Sequence, residues 1–129
     1  MPGPGQGTAE DRLAVERALH LFLDVLPRRL RFADAAGMLG IRPEVLRRAY
    51  ERCRINPRGQ VRAARLERLD RDLRAGRHAT LSEALIRWGF PLAAPSVLAD
   101  YHARYGRHPQ ETLDAALALR RSGARSQSA

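Results

Sequence analysis

The chain contains no lysine: its 23 basic residues are all arginine, set against 14 acidic ones for a net charge of +9 over 129 residues. A single cysteine, Cys53, excludes an intrachain disulfide and any cysteine-based metal site. The four histidines, His20, His78, His102 and His108, never stand as a close ligand pair, so each is expected at the surface or at a helix cap. Aromatic residues make up only 5% of the chain, so its core has to come from Leu, Ala and Val. Alternating runs of β-branched residues are missing, which argues against a sheet and for an all-α chain of one domain's length. No apolar run approaches the roughly 18 residues of a membrane span. The opening Met-Pro-Gly-Pro-Gly-Gln-Gly has neither the basic nor the apolar part of a signal peptide. There is no glycine-rich phosphate loop and no carboxylate pair placed for acid–base work. The expectation is a soluble, intracellular protein without catalytic residues, cofactor or metal.

What is present is positive charge in one place. Residues 1–27 carry a net charge of −2, residues 28–77 of +9 and residues 78–129 of +2. A contiguous cationic region suits phosphate backbones, because each neutralised phosphate releases counterions. The plainer alternative is a solvated surface in a chain that uses arginine throughout.

The stretch from Asn56 to Phe90 organises the rest. Asn56 is a helix cap and Pro57 fits a first helical position, where its missing N–H has no partner anyway. Val61, Leu66, Leu69 and Leu73 recur at helical spacing, with Glu67/Arg71 and Asp70/Arg74 as i,i+4 pairs. Roughly 18 residues at about 1.5 Å each predict a rod of about 27 Å, able to space two small helical units.

Before the rod, residues 1–8 are expected to be disordered, although Thr8 and Asp11 resemble a capping box. A first helix carries Leu19, Phe22, Leu23 and Leu26 on one stripe and stops near Pro27. Phe32–Gly40 reads as a short helix ended by a glycine, and a second runs from Pro43 to Cys53. The small residues Ala35, Ala36 and Gly37 let the two cross closely. Val45, Leu46, Ala49 and Tyr50 face inward by period, leaving Glu44, Arg47, Arg48 and Glu51 outward. After the rod, Thr80-Leu-Ser-Glu83 is a capping box opening a helix that ends at Trp88-Gly89-Phe90. Another runs from Pro95 to Tyr105, and a last begins at Pro109 with Leu113, Ala116, Leu117 and Leu119 apolar. Helix–glycine–helix thus occurs twice, at Phe32–Cys53 and Leu81–Tyr105, which is helix-turn-helix spacing. The expected division is a first unit over 9–56, a linker helix over 57–76, a second unit over 77–121 and a disordered tail over 122–129. Trp88 and Phe90 are expected in the core. Tyr50, Tyr101 and Tyr105 are expected to anchor it with their hydroxyls at the rim, and Cys53 to be a buried structural thiol.

In this order and spacing the chain resembles the DNA-binding domain of the AraC/XylS family of bacterial transcription regulators. The resemblance rests on Ala64-Arg65-Leu66-Glu67-Arg68, Arg87-Trp88-Gly89-Phe90, Tyr105-Gly106 with Pro109, and Gly40-Ile-Arg-Pro43 with Leu46 and Tyr50. It covers residues from about 14 to 120. It implies seven helices forming two helix-turn-helix units joined by a long linker helix, each unit offering a helix to successive major grooves about 34 Å apart. Arg42 stands where the family's first turn carries a capping serine, and the segment between Tyr50 and Pro57 lacks its usual glycine.

The resemblance implies base-reading roles for Glu44, Arg47 and Arg48, and phosphate contacts for Arg42, Arg52, Arg54, Arg58, Arg62 and Arg65. An arginine can grip guanine O6 and N7 bidentately, and a glutamate can accept from a cytosine amino group. In the second unit the matching positions hold Ala94, Pro95 and Ala99, with Ser96 the polar one nearby. That unit is expected to position the protein through Thr80 and Ser82 on phosphate. The implied partners are double-stranded DNA and RNA polymerase, with no membrane. The implied state is a monomer in the absence of a dimerisation domain, cytoplasmic and nucleoid-associated. A degenerate helix-turn-helix protein serving as a protein-interaction module is the alternative.

Overall fold

The computed structural model describes residues 7–92 and 94–128. Among them it has seven α-helices and no strand: α1 Ala9–Asp24, α2 Phe32–Met38, α3 Pro43–Cys53, α4 Pro57–Arg74, α5 Leu81–Arg87, α6 Pro95–Tyr105 and α7 Pro109–Ser128. They form two compact units, residues 1–64 and 65–129, with α4 beginning in the first and ending in the second.

The first unit is organised on Asp11. Its N–H bonds to Thr8 Oγ1 and its Oδ2 accepts from the Thr8 N–H, each at 3.0 Å, which closes the expected capping box. The same carboxylate accepts Arg52 Nε at 2.8 Å and Nη2 at 2.9 Å, a bidentate fork tying the start of α1 to the end of α3. The Arg52 hydrogen bonds, seconded by the Thr8 N–H, hold the Asp11 carboxyl well below the usual carboxylate range. Beneath this clamp Val15, Ala18, Ala36, Leu46, Ala49 and Tyr50 are buried together, with Phe22, Phe32, Leu39 and Ile41 packed around them. Asn56 Oδ1 accepts the Gly59 N–H at 3.0 Å, capping α4 where the sequence places the cap.

In the second unit α4 supplies both the apolar stripe and two buried acids. Leu66, Leu69 and Leu73 bury with Ala84, Leu85, Trp88, Phe90, Val97, Tyr101 and Leu113. Asp72, only 5% exposed, accepts from Trp88 Nε1 at 2.8 Å and Arg77 Nη1 at 3.0 Å, and its Oδ2 lies 3.0 Å from His78 Nε2. Burial pushes its pKa up, but the His78 and Trp88 hydrogen bonds and the charges of His78 and Arg77 more than offset that, leaving it lowered. Tyr101 donates to Asp70 Oδ1 at 2.6 Å, and the Thr112 hydroxyl sits 2.9 Å from the same phenolic oxygen. Arg65 bonds Trp88 O at 2.7 Å and Gly89 O, with its guanidinium 4.2 Å from the centre of the Phe90 ring.

The helix ends repeat one device. At Gly40, Gly76 and Gly89, all at positive φ, the next residue's N–H bonds back five residues and the glycine's own bonds back three. This is a Schellman turn, in which a left-handed residue satisfies the last carbonyls. The end of α3 makes the same pair of bonds, Ile55 N–H to Tyr50 O and Arg54 N–H to Glu51 O, with Arg54 at φ 55° in the glycine's place.

Several expectations are corrected. Val45 is 47% exposed, because Leu46, Ala49, Tyr50 and Cys53 already define the inward stripe and Val45 falls on its flank. Leu119 is 74% exposed although it shares a side of α7 with buried Thr112 and Ala116, because residues 118–123 are all exposed and α7 has run past the packed core there. The hydroxyls of Tyr50 and Tyr101 do not reach the rim; both rings are buried to the oxygen. His78 is a half-buried partner of Asp72, whereas His108 does cap, its Nδ1 accepting from the Gln110 N–H. Cys53 is half-buried. Helix α7 continues to Ser128, through residues 122–128 of the segment expected to be a tail, since no proline interrupts it and a lone Gly123 is tolerated; residue 129 lies outside the described residues. Gly7 and Thr8 are part of the α1 cap; the expected disorder of residues 1–6 lies outside the described residues.

Three outcomes are expected. Asp72→Ala orphans the buried Trp88 N–H and should lower unfolding free energy in urea by about 2–3 kcal/mol, against less than about 0.5 for Glu67→Ala, whose pair with Arg71 is exposed. Because the Asp11 pKa is lower in the folded than in the unfolded chain, its contribution is complete above about pH 4 and is lost as pH falls further. Circular dichroism between about pH 5 and pH 2 should therefore show Asp11→Asn losing less stability than the parent chain. Arg54→Gly should raise the urea midpoint, worth roughly 0.5–1 kcal/mol, because the left-handed conformation strains any residue with a Cβ.

Candidate nucleic-acid interface

Helix α3 presents two faces of opposite character. Leu46, Ala49 and Tyr50 are buried, while Glu44, Arg47, Arg48 and Glu51 are exposed at helical spacing. The helix begins without a side-chain cap: Arg42 is its N-cap residue, makes no capping bond and is exposed, and Pro43 follows. Among the described residues Arg42, Arg47, Arg48, Arg54 and Arg58 make no ion pair or side-chain hydrogen bond, and all five are exposed. Glu44, Arg47 and Arg48 thus lie together on one accessible face, as the sequence arrangement requires.

Two of the expected phosphate contacts are otherwise engaged. Arg52 points into the Asp11 fork, and Arg65 is taken up by the carbonyls of Trp88 and Gly89 and the Phe90 ring. The resemblance implied phosphate contacts for both; only folding shows that each arginine meets an acceptor far away in sequence. Arg62 is half-buried and also has a partner within the protein.

Sequence reasoning also passed over exposed residues of the same unit. Val45 is an apolar group beside Glu44 on α3, of the kind that can meet a thymine methyl. Arg28, Arg29 and Arg31, exposed ahead of α2, entered only as charge. The density of arginine there was the available signal.

The second unit uses its arginines differently. Arg74 pairs with Asp70 at 2.9 Å, Arg77 with Asp72 at 3.0 Å and Arg71 more loosely with Glu67. Arg120 bonds Gly76 O at 2.6 Å, and Arg68 and Arg87 lie over the Trp88 ring. Helix α6 opens at Ala94 without a side-chain cap and exposes Pro95, Ser96 and Ala99. Thr80 Oγ1 accepts the Glu83 N–H, and Glu83 returns to the Ala79 N–H; Ser82 is exposed. Gly40 is followed by two residues before Pro43, whereas α6 does not begin until Pro95, six positions after Gly89. Among the described residues no group of His, Cys, Asp and Glu is placed to hold a metal ion, and no helix is long and apolar enough to cross a membrane.

No protein-family model matches the chain, and no curated protein sequence matches it. A solved structure does: the probable AraC family transcriptional regulator from Rhodopseudomonas palustris CGA009, 24% identical, with a TM-score of 0.64 over 81% of this chain and 97% of that one. At that identity the likeness establishes a shared fold, and the described residues form an all-α double helix-turn-helix of seven helices.

Proposed function

We propose that this chain is a DNA-binding transcription regulator of AraC/XylS type, reading bases mainly through α3 of the first unit. The observation that carries this reading is the contrast between the two units' arginines. Among the described residues Arg42, Arg47, Arg48, Arg54 and Arg58, on and beside α3, face solvent without internal partners (Arg52 is the exception), while those of the second unit are largely bound to carboxylates, carbonyls and rings. The fold shared with a protein named as a probable AraC family regulator supports it. Arg47 and Arg48 take guanine edges, Glu44 accepts from a cytosine amino group and Val45 packs on a thymine methyl. Arg42, Arg54 and Arg58 take phosphates, and Arg52 acts at one remove by fixing α3 on α1. In the second unit Ser96, Thr80 and Ser82 offer the remaining hydroxyls, and α6 serves for position more than for sequence. In this reading the chain acts as a monomer on double-stranded DNA in the cytoplasm, with RNA polymerase as its protein partner.

Gel-shift assays on duplexes selected from genomic fragments, repeated across a salt series, test this. Arg47→Ala should cost about 1–3 kcal/mol on the preferred duplex and relax its sequence preference. Arg58→Ala should weaken all duplexes alike and reduce the log–log salt slope by about 1. Equally poor binding of selected and random duplexes near physiological salt would sink the proposal and favour a protein-interaction module, for which exposed Ile86 and Leu92 in the second unit are the apolar contacts.

A further inference from the structure

The first unit contains a depression of about 370 Å³ that shares only Arg47 with the residues proposed to read bases. This lies at the lower end of the range for small-molecule sites, about 300–1,000 Å³. Its walls are apolar, formed by Phe32, Tyr50, Ile55 and Pro57, and its polar residues are Arg47, Glu51 and Asn56. Three features of these residues have no role in the packing of the unit.

The first is the Tyr50 hydroxyl. It is buried and has no hydrogen-bond partner, a condition few native side chains accept. Burial has pushed its pKa up to about 12, so it remains a neutral donor. The second is the relation of Arg47 to Glu51. They stand one helical turn apart on α3 yet form no ion pair among the described residues. With the cation N-terminal to the anion, this is the weaker orientation for an i,i+4 pair, so both charges remain available beside the same apolar wall. The third is Asn56, whose Oδ1 is taken by the Gly59 N–H, leaving the amide NH₂ as a donor.

We propose that this depression binds a free α-amino acid with a bulky apolar side chain. The charge pattern selects that class. Arg47 and Glu51, one helical turn apart and both lining the depression, can receive a carboxylate and an ammonium carried on one carbon. The ligand carboxylate pairs with Arg47 and accepts from the Asn56 amide, the ammonium pairs with Glu51, and the side chain lies against Phe32, Ile55 and Pro57. A simple anion leaves Glu51 opposed to it, and a simple amine leaves Arg47 so. A bound carboxylate also withdraws Arg47 from the duplex, and this coupling alone rests on the base-reading role proposed above.

Isothermal titration calorimetry of the whole chain without DNA tests the site, using L-phenylalanine, L-leucine and L-tryptophan and their matched deaminated and decarboxylated analogues. Saturable binding of at least one amino acid is expected, weakened about tenfold or more in each one-charge analogue and in Glu51→Gln. No saturable heat at concentrations up to about 10 mM, or an analogue binding as tightly as its parent, overturns the proposal. With the site established, saturating amino acid should weaken the preferred duplex severalfold for the parent chain and leave Glu51→Gln unaffected. Calorimetric binding with no effect on the duplex keeps the site and instead removes Arg47 from base reading.

Discussion

An ionised aspartate closed in by hydrogen-bond donors is the constraint on which each unit depends. In the first unit Asp11 caps α1 and at the same time receives the Arg52 fork from α3. In the second, Asp72 on α4 receives donors from Trp88 and Arg77 and contacts His78. A buried carboxylate is tolerated only when donors replace the water it has lost, so each aspartate dictates where its partners must stand. The presentation of α3 follows from the first of these, since the fork fixes α3 against α1. The seating of Trp88 at the end of α5 follows from the second.

The distribution of the arginines then decides what each surface can do. A guanidinium already forked to a carboxylate or held by carbonyls is no longer available to a phosphate, whatever the net charge. Arg52, Arg65, Arg74, Arg77 and Arg120 hold the protein together. Arg42, Arg47, Arg48, Arg54 and Arg58 remain for a partner. The excess charge of residues 28–77 therefore overstates the cationic surface toward its C-terminal end and describes the neighbourhood of α3 well.

The repeated helix ends show how closely the two units follow one plan. Gly40 and Gly89 close α2 and α5 with the same two backbone bonds, both helices span seven residues, and α3 and α6 each span eleven. Where the plan wants a further glycine, after α3, the chain has Arg54 in the left-handed conformation. That strain sits between the exposed face of α3 and the start of α4, and it keeps a cation where glycine offers none.

The sequence by itself determined the helices, because caps, prolines, positive-φ glycines and apolar period are local signals. Asn56-Pro57, Thr8 with Asp11 and the paired glycines each did in the fold what their spacing required. The outward placement of Glu44, Arg47 and Arg48 was legible for the same reason, these being positions left over once Leu46, Ala49 and Tyr50 turn inward. Only the tertiary structure decided which arginines were occupied. Asp11 and Arg52 are 41 residues apart, and Arg65 and Trp88 are 23 apart. It likewise decided that the Tyr50 hydroxyl is buried without a hydrogen-bond partner among the described residues, and that residues from α2, α3 and the start of α4 line one depression with Tyr50. Periodicity reports which face a side chain leaves on, whereas the group it meets there is settled only when distant segments pack.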